Sequence, residues 1–336
     1  MSSSISNSDA EPGWGRCLLS CFGLVAAGGL LILVLAVLVD PYDSGHFGWL
    51  GLRGIADRYA STANASRARD PQFDSAIFGN STGQLLEPDR LDGLTGRRFV
   101  QLVAPGADPR GDLAILGFFA RHHPAIGALV FVTDDLWCKT ELPPLAQDAF
   151  PFWLYQDNAA RYLANLFNWR AIDRAIRRIA IARGSRAPTR ADGYWNYEEV
   201  WPPGAKHPQA AEPAKVAPFS GRTGETFPFA AMLADAVASL PRDVPIVIVM
   251  PPTFYTAVPQ PYGRAAASHR DCKAAYQAIV RGRANSSLID YRVDNALTRD
   301  PANFVDLIHY RPKIARKLED GIAASLRDGE KAKLDF

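Results

Sequence analysis

The sequence predicts a three-layer α/β domain, a doubly wound parallel sheet covered by helices on both faces, behind one membrane-spanning helix. Three observations carry this. Short unbroken apolar runs recur at Ala76–Phe78, Ala125–Val132 and Val244–Met250, as strands buried on both faces require. Amphipathic stretches of helical period alternate with those runs, the pattern of a parallel sheet with crossover helices. A single uncharged stretch, Cys17–Val39, stands apart near the N-terminus.

At about 1.5 Å per residue, Cys17–Val39 is long enough to cross a bilayer core. Arg16 precedes it and Asp40-Pro41-Tyr42-Asp43 ends it. The run exceeds the apolar region of a signal peptide and lacks a small-x-small exit. Leu18-Leu19-Ser20-Cys21 is not a lipoprotein signal, because the apolar run follows the cysteine instead of preceding it. The expected layout is a cytoplasmic tail (1–16), an anchor (17–39), a connector (40–72) and a domain (73–336) outside the cytoplasmic membrane. Charge asymmetry says little: Asp9 and Glu11 offset Arg16, while Arg53 and Arg58 lie beyond the span.

Within the connector, Gly54–Ala65 reads as helix. The strands expected next are Ser75–Phe78, Phe99–Val103, Ala125–Val132, Val244–Met250 and Ser287–Tyr291. Helices are expected over Gly111–His122, Gly263–Arg281 and Pro312–Leu326, the first with Leu113, Ile115, Leu116 and Phe119 on one face. Ligands of such sheets bind at the carboxyl ends of the strands, where Ser81, Gly106, Asp134 and Asp135 fall. Residues 137–227 interrupt the alternation as a large insertion after the third strand, with an Arg-rich helical part (Gln156–Ala182) and then a Pro/Gly/Trp/Tyr-rich part. Such a segment either covers a sheet edge or serves as a lid. Trp195, Tyr197 and Trp201 read as loop packing or as sugar-stacking aromatics.

Hydrophobic residues make up 48% of the 336, enough for a packed core, and the net charge of +2 gives no case for nucleic acid. The four cysteines are too scattered for a zinc site. Cys17 and Cys21 lie in the apolar run. Cys138 and Cys272 either pair in an oxidising compartment or stay buried thiols.

The chemistry concentrates in two places. In Phe78-Gly79-Asn80-Ser81, a strand runs into a polar turn that presents Ser81, and the helix-compatible run Gln84–Glu87 follows. Backbone N–H groups at such a junction stabilise an alkoxide or an oxyanion. Near the C-terminus, Asp306 and His309 stand three apart just before a helix. A serine nucleophile needs a base, and the base needs a carboxylate to fix its tautomer. Of six histidines, His46 abuts the anchor, His122 and His123 end a helix, His207 lies in the insertion and His269 within a helix. His309 alone combines a carboxylate neighbour, a strand-following loop and a helix start.

Gly79-Asn80-Ser81 after the first strand, Gly106 after the second and Asp306-x-x-His309 before the last helix resemble, in order, blocks of the SGNH/GDSL hydrolase superfamily. The likeness covers roughly Phe73–Leu326 without most of the insertion. It implies a flavodoxin-like fold, Ser81 as nucleophile, His309 as base, Asp306 as its orienting carboxylate and no cofactor or metal. It places the oxyanion hole at the Ser81 and Gly106 N–H groups, with Asn80 in support. The sequence departs at the third block, where Val132-Thr133-Asp134-Asp135 stands in place of Gly-x-Asn-Asp. An ionised aspartate there cannot donate. The anchored layout resembles envelope proteins of alginate O-acetylation and teichoic-acid D-alanylation. An esterase or O-acyltransferase is therefore expected, acting on an envelope polysaccharide or lipid, with a possible membrane-bound acyl-transfer partner. The alternatives are a catalytically degenerate scaffold protein, or a metal-dependent phosphoesterase using Asp74, Asp134, Asp135 and His309.

Overall fold

Five parallel strands form one sheet: β1 (Ser75–Gly79), β2 (Phe99–Gln101), β3 (Ala128–Val132), β4 (Ile246–Met250) and β5 (Ser287–Asp290), in the order β2-β1-β3-β4-β5. This computed structural model describes residues 14–52, 54–55, 59–145, 150–200, 202, 224, 226–259 and 264–329. Every residue of β1, β3 and β4 is buried, which is why these strands read as unbroken apolar runs.

The helices are α1 (Trp14–Val39), α2 (Ala60–Ala68), α3 (Pro88–Thr95), α4 (Pro109–His122), α5 (Ala159–Ala164), α6 (Trp169–Ala182), α7 (Pro228–Ala238), α8 (Arg264–Val280), α9 (Ala296–Arg299) and α10 (Pro312–Asp328). Alternate strand residues face opposite cores. Phe78, Phe131, Ile248 and Met250 pack with α4, α7 and α8, and Phe78 stacks on Phe131 with ring centroids 5.1 Å apart. Ile77, Val130, Val132, Val249 and Ile289 pack with α3 and α10. Each such side chain contributes about 1.5–3 kcal/mol by leaving water, so the two faces hold the strand ends in register.

Several local expectations shift. β2 is short, yet the Leu102 and Ala104 N–H groups still donate to Ile77 and Gly79 at 2.8 Å, so its contact with β1 outlasts the regular strand. The Gln156–Ala182 run is two helices, because Asn158 and Asn168 each cap a new N-terminus, accepting from the Arg161 and Ala171 N–H groups. Gln84–Glu87 is not helical. Ser81–Gly83 forms one 3-10 turn, and the next helix waits for Pro88, whose ring holds Glu87 extended. Ser81 therefore stands at a short turn and gains little from a helix dipole. The helix expected at Gly54–Ala65 lies at Ala60–Ala68.

Among the described residues α1 alone is long and apolar enough to cross a membrane, with a best-window mean hydropathy of 2.8. It joins the domain through a buried polar knot. The buried Arg178 guanidinium donates to the Val39 carbonyl at 2.9 Å and to Asp40 O, and pairs with Asp43 at 3.0 Å. Asp40 in turn accepts from Tyr162, from Ser44 at 3.0 Å and from the Gly45 N–H at 2.8 Å. A cation on the last carbonyls of a helix satisfies its orphan acceptors. Of the residues read as connector, Ala63, Ala65 and Ala68 are fully buried against the domain. Cys138 and Cys272 form a disulfide, Cα–Cα 5.7 Å, tying the segment after β3 to α8.

Candidate active site

The site begins with a backbone that accepts only glycine. Gly79 closes β1 at φ +139°, and a Cβ there would lie 2.5 Å from the Val132 carbonyl of β3. This close approach turns the chain out of the sheet. Asn80 then caps the turn, its Oδ1 accepting from the Thr82 N–H at 3.0 Å, and Ser81 is delivered at the strand's carboxyl end. Gln101, buried on β2, holds the segment beyond by donating to the Gln84 and Leu86 carbonyls, both at 2.8 Å.

The second arm is a tight loop between β5 and α10. Phe304 and Tyr310 form an antiparallel bridge, and the Val305 N–H donates to the His309 carbonyl at 2.7 Å. Asp306 Oδ1 accepts from the Ile308 and His309 N–H groups at 2.9 and 2.8 Å. Its other oxygen meets His309 Nδ1 at 2.8 Å. Burial would raise the Asp306 carboxyl, but the His309 hydrogen bond and charge, with the two N–H groups, hold it below the usual range. It is thus ionised at neutral pH and fixes the ring with Nδ1 protonated. His309 Nε2 then lies 2.8 Å from Ser81 Oγ, oriented to accept its proton.

Ser81, His309 and Asp306 are therefore brought together from positions 228 and 3 residues apart in the chain. Around them, the Ser81 and Gly106 N–H groups have no hydrogen-bond partner among the described residues. They belong to the turns after the neighbouring strands β1 and β2. Gly106, at φ +78°, is exposed. Asn80 Nδ2 is turned toward the third block, donating to Asp134.

Asp134 is the unusual group. Its other oxygen accepts from the Leu136 N–H at 2.9 Å. Desolvation and the adjacent Asp135 push its carboxyl up to about 6, outweighing Arg292, Leu136 and Asn80. Behind it Asp112 of α4 is 1% exposed and accepts from the Gly79 N–H, with its Oδ1 unpartnered among the described residues. Burial, then Asp134, raise the Asp112 carboxyl well above its ordinary value. A neutral carboxyl donates as well as accepts, which an ionised one cannot. Asp135 itself is drawn away by an ion pair to the buried Arg292.

Two positioning residues escape motif reading. Tyr197 is buried, donates to the Tyr310 carbonyl, and sets its ring edge-on to His309, centroids 5.8 Å apart at 81°. Tyr310 donates to the Thr82 carbonyl, which ties the histidine loop to the serine turn. The adjacency of Tyr310 to His309 was its only sequence signal. Buried in this way, Tyr197 offers no open face for sugar stacking, while Trp195 remains 40% exposed and donates to Glu199 at 3.2 Å; Trp201 lies outside the described residues. The phosphoesterase set does not assemble. Asp74 stands just before β1, bonded to Ser75 and Arg98, at the amino end of the strand whose carboxyl end carries Ser81. Among the described residues no cluster of three His, Cys, Asp or Glu suits a metal. No protein-family model and no curated protein matches this chain.

Proposed function

We propose that this chain is a membrane-anchored SGNH-like serine esterase or O-acyltransferase working on acyl esters of an envelope glycan or lipid. The observation that carries the reading is the continuous Ser81–His309–Asp306 hydrogen-bond chain, 2.8 Å at each link, at the carboxyl ends of a parallel sheet. Ser81 Oγ attacks the ester carbonyl as its proton passes to His309 Nε2. The imidazolium is stabilised by the Asp306 carboxylate, which stays ionised. The carbonyl oxygen becomes an oxyanion facing the Ser81 and Gly106 N–H groups, with Asp134 as third donor while its carboxyl is protonated. Collapse expels the alcohol, which takes the proton back from His309, and leaves an acyl-serine. Water or a sugar hydroxyl then attacks the acyl carbonyl, giving its proton to His309; the bond to Ser81 Oγ breaks, and Ser81 takes that proton back from His309. Preorganised donors of this kind usually supply the largest share of acyl-transfer catalysis.

The Cys138–Cys272 disulfide supports an oxidising compartment, hence a periplasmic domain on an inner-membrane anchor. The segment from residue 137 to 227 supplies Tyr197 to the histidine and is read as the fold's insertion. The test is turnover of a p-nitrophenyl acyl ester and of O-acetylated envelope glycan by the full chain. Release that disappears in Ser81→Ala supports the reading. A folded wild-type protein without turnover or acyl transfer on either substrate favours the scaffold alternative.

A further inference from the structure

A cluster of exposed apolar side chains sits beside the emergence of α1 and is not used by the site. Trp49 is 78% exposed, Leu50 55%, Phe167 57%, Trp169 71% and Ile176 58%. They are level with the anchor's end. The Gly48 and Leu50 N–H groups donate to the Val37 and Leu38 carbonyls at 3.0 and 3.1 Å, laying Trp49 along the last turn of α1. On α6 and just before it, Ala171, Ile172 and Leu166 line a crevice with Ile32, Leu35 and Ala36 of α1. Trp169 and Ile176 lie next to that crevice on the exposed side of α6.

Depth follows from length. A hydrocarbon core of about 30 Å takes roughly 20 helical residues. Any such window within Cys17–Val39 includes Ile32, Leu35 and Ala36. Whatever packs on those three stands at lipid depth. The buried Arg178 knot at Val39 and Asp40 makes the joint stiff, so the depth of one part sets that of the other. The flank of α6 beside its apolar stripe carries Arg170, over the Trp169 ring, and Arg177, paired with Asp173 at 2.7 Å, while Arg174 turns back over Tyr42 of the loop after the anchor. Aromatic side chains at the boundary characterise segments lying in a membrane interface.

We infer that Trp49, Leu50, Phe167, Trp169 and Ile176 form a membrane-contact face, which seats the domain on the lipid surface beside its own anchor. This rests on α1 spanning the bilayer. The consequence concerns substrate access. The loop that follows the anchor shares a cavity with His122, at one end of α4, while Gly106 adjoins the other end. Fourteen residues of helix separate the ends by about 21 Å. The seated face thus leaves the Ser81 site well removed from the loop that meets the lipid.

The experiment uses the full chain with Cys17 and Cys21 replaced by serine, nitroxide-labelled at one new cysteine and held in phosphatidylethanolamine/phosphatidylglycerol nanodiscs. Labels at Trp49, Trp169 and Ile176 are compared with Leu24 in the anchor and with exposed Leu142 and Trp195. Oxygen should be favoured over a water-soluble nickel chelate at 49, 169 and 176 as it is at 24, several-fold above 142 and 195. If 24 is lipid-exposed while the three match 142 and 195, the contact face is wrong and the anchor stands. Exclusion of both reagents at the three positions assigns the face to a protein partner or a second copy and overturns the inference. Nickel access at 24 removes the anchor reading and the inference with it.

Discussion

Asp134→Asn exchanges a carboxyl for an amide of equal size at the end of β3. The wild-type carboxyl titrates at about 6, so it is half protonated there and about one-hundredth protonated at pH 8. If only the neutral form donates to the oxyanion, kcat/KM should fall about 50-fold between those two values. The fall cannot exceed what one oxyanion donor is worth, about 10²–10³ in rate. The amide donates at every pH. D134N should therefore lose the alkaline limb and exceed wild type by more than about tenfold at pH 8. The sign for stability runs the same way. A carboxyl whose folded value lies above its unfolded value contributes fully below pH 4 and loses that contribution as pH rises through 6. The shift corresponds to about 3 kcal/mol at most, so wild type should melt lower at pH 8 than at pH 5 while D134N changes less. Ester hydrolysis from pH 5 to 9, corrected for spontaneous release, provides the assay. An alkaline limb that persists unchanged in D134N would refute the role given to Asp134.

Three further outcomes follow from the geometry. Gly79→Ala puts a Cβ 2.5 Å from the Val132 carbonyl at a φ closed to alanine, and should cost about 3 kcal/mol or more in denaturant unfolding, with loss of turnover. Tyr197→Phe removes the tie to the Tyr310 carbonyl while keeping the ring beside His309. It should lower kcat about tenfold with little change in KM; an unchanged kcat would assign Tyr197 to packing alone. Paired Cys138→Ala and Cys272→Ala opens a loop of 134 residues and should cost about 5 kcal/mol, read as a lower Tm under conditions where the wild type stays oxidised.

Much of this fold is legible because β1, β3 and β4 are buried on both faces and must be apolar throughout. A parallel sheet then follows from the helices between them. Element ends were harder to read. Pro88 delays a helix that the composition of Gln84–Glu87 allowed, and Asn168 starts one where periodicity ran on. Ser81, Asp306 and His309 were readable since nucleophile, base and orienting carboxylate are rare residue types in a restricted order. Tyr197 and Asp112 were not. The first reaches His309 across 112 residues of chain, and the second is one of many helix-start aspartates until its burial sets it apart. The Cys138–Cys272 pairing depended on a Cα separation that spacing does not reveal.

The central claim, that Ser81 is a nucleophile activated by His309, is tested most directly with a fluorophosphonate and intact mass analysis of the full chain. One adduct on the peptide containing Ser81 is expected for wild type, none for Ser81→Ala, and labelling slowed by about a thousandfold for His309→Ala. A wild-type protein that is folded yet unlabelled, or a His309→Ala variant labelled at the wild-type rate, would contradict it.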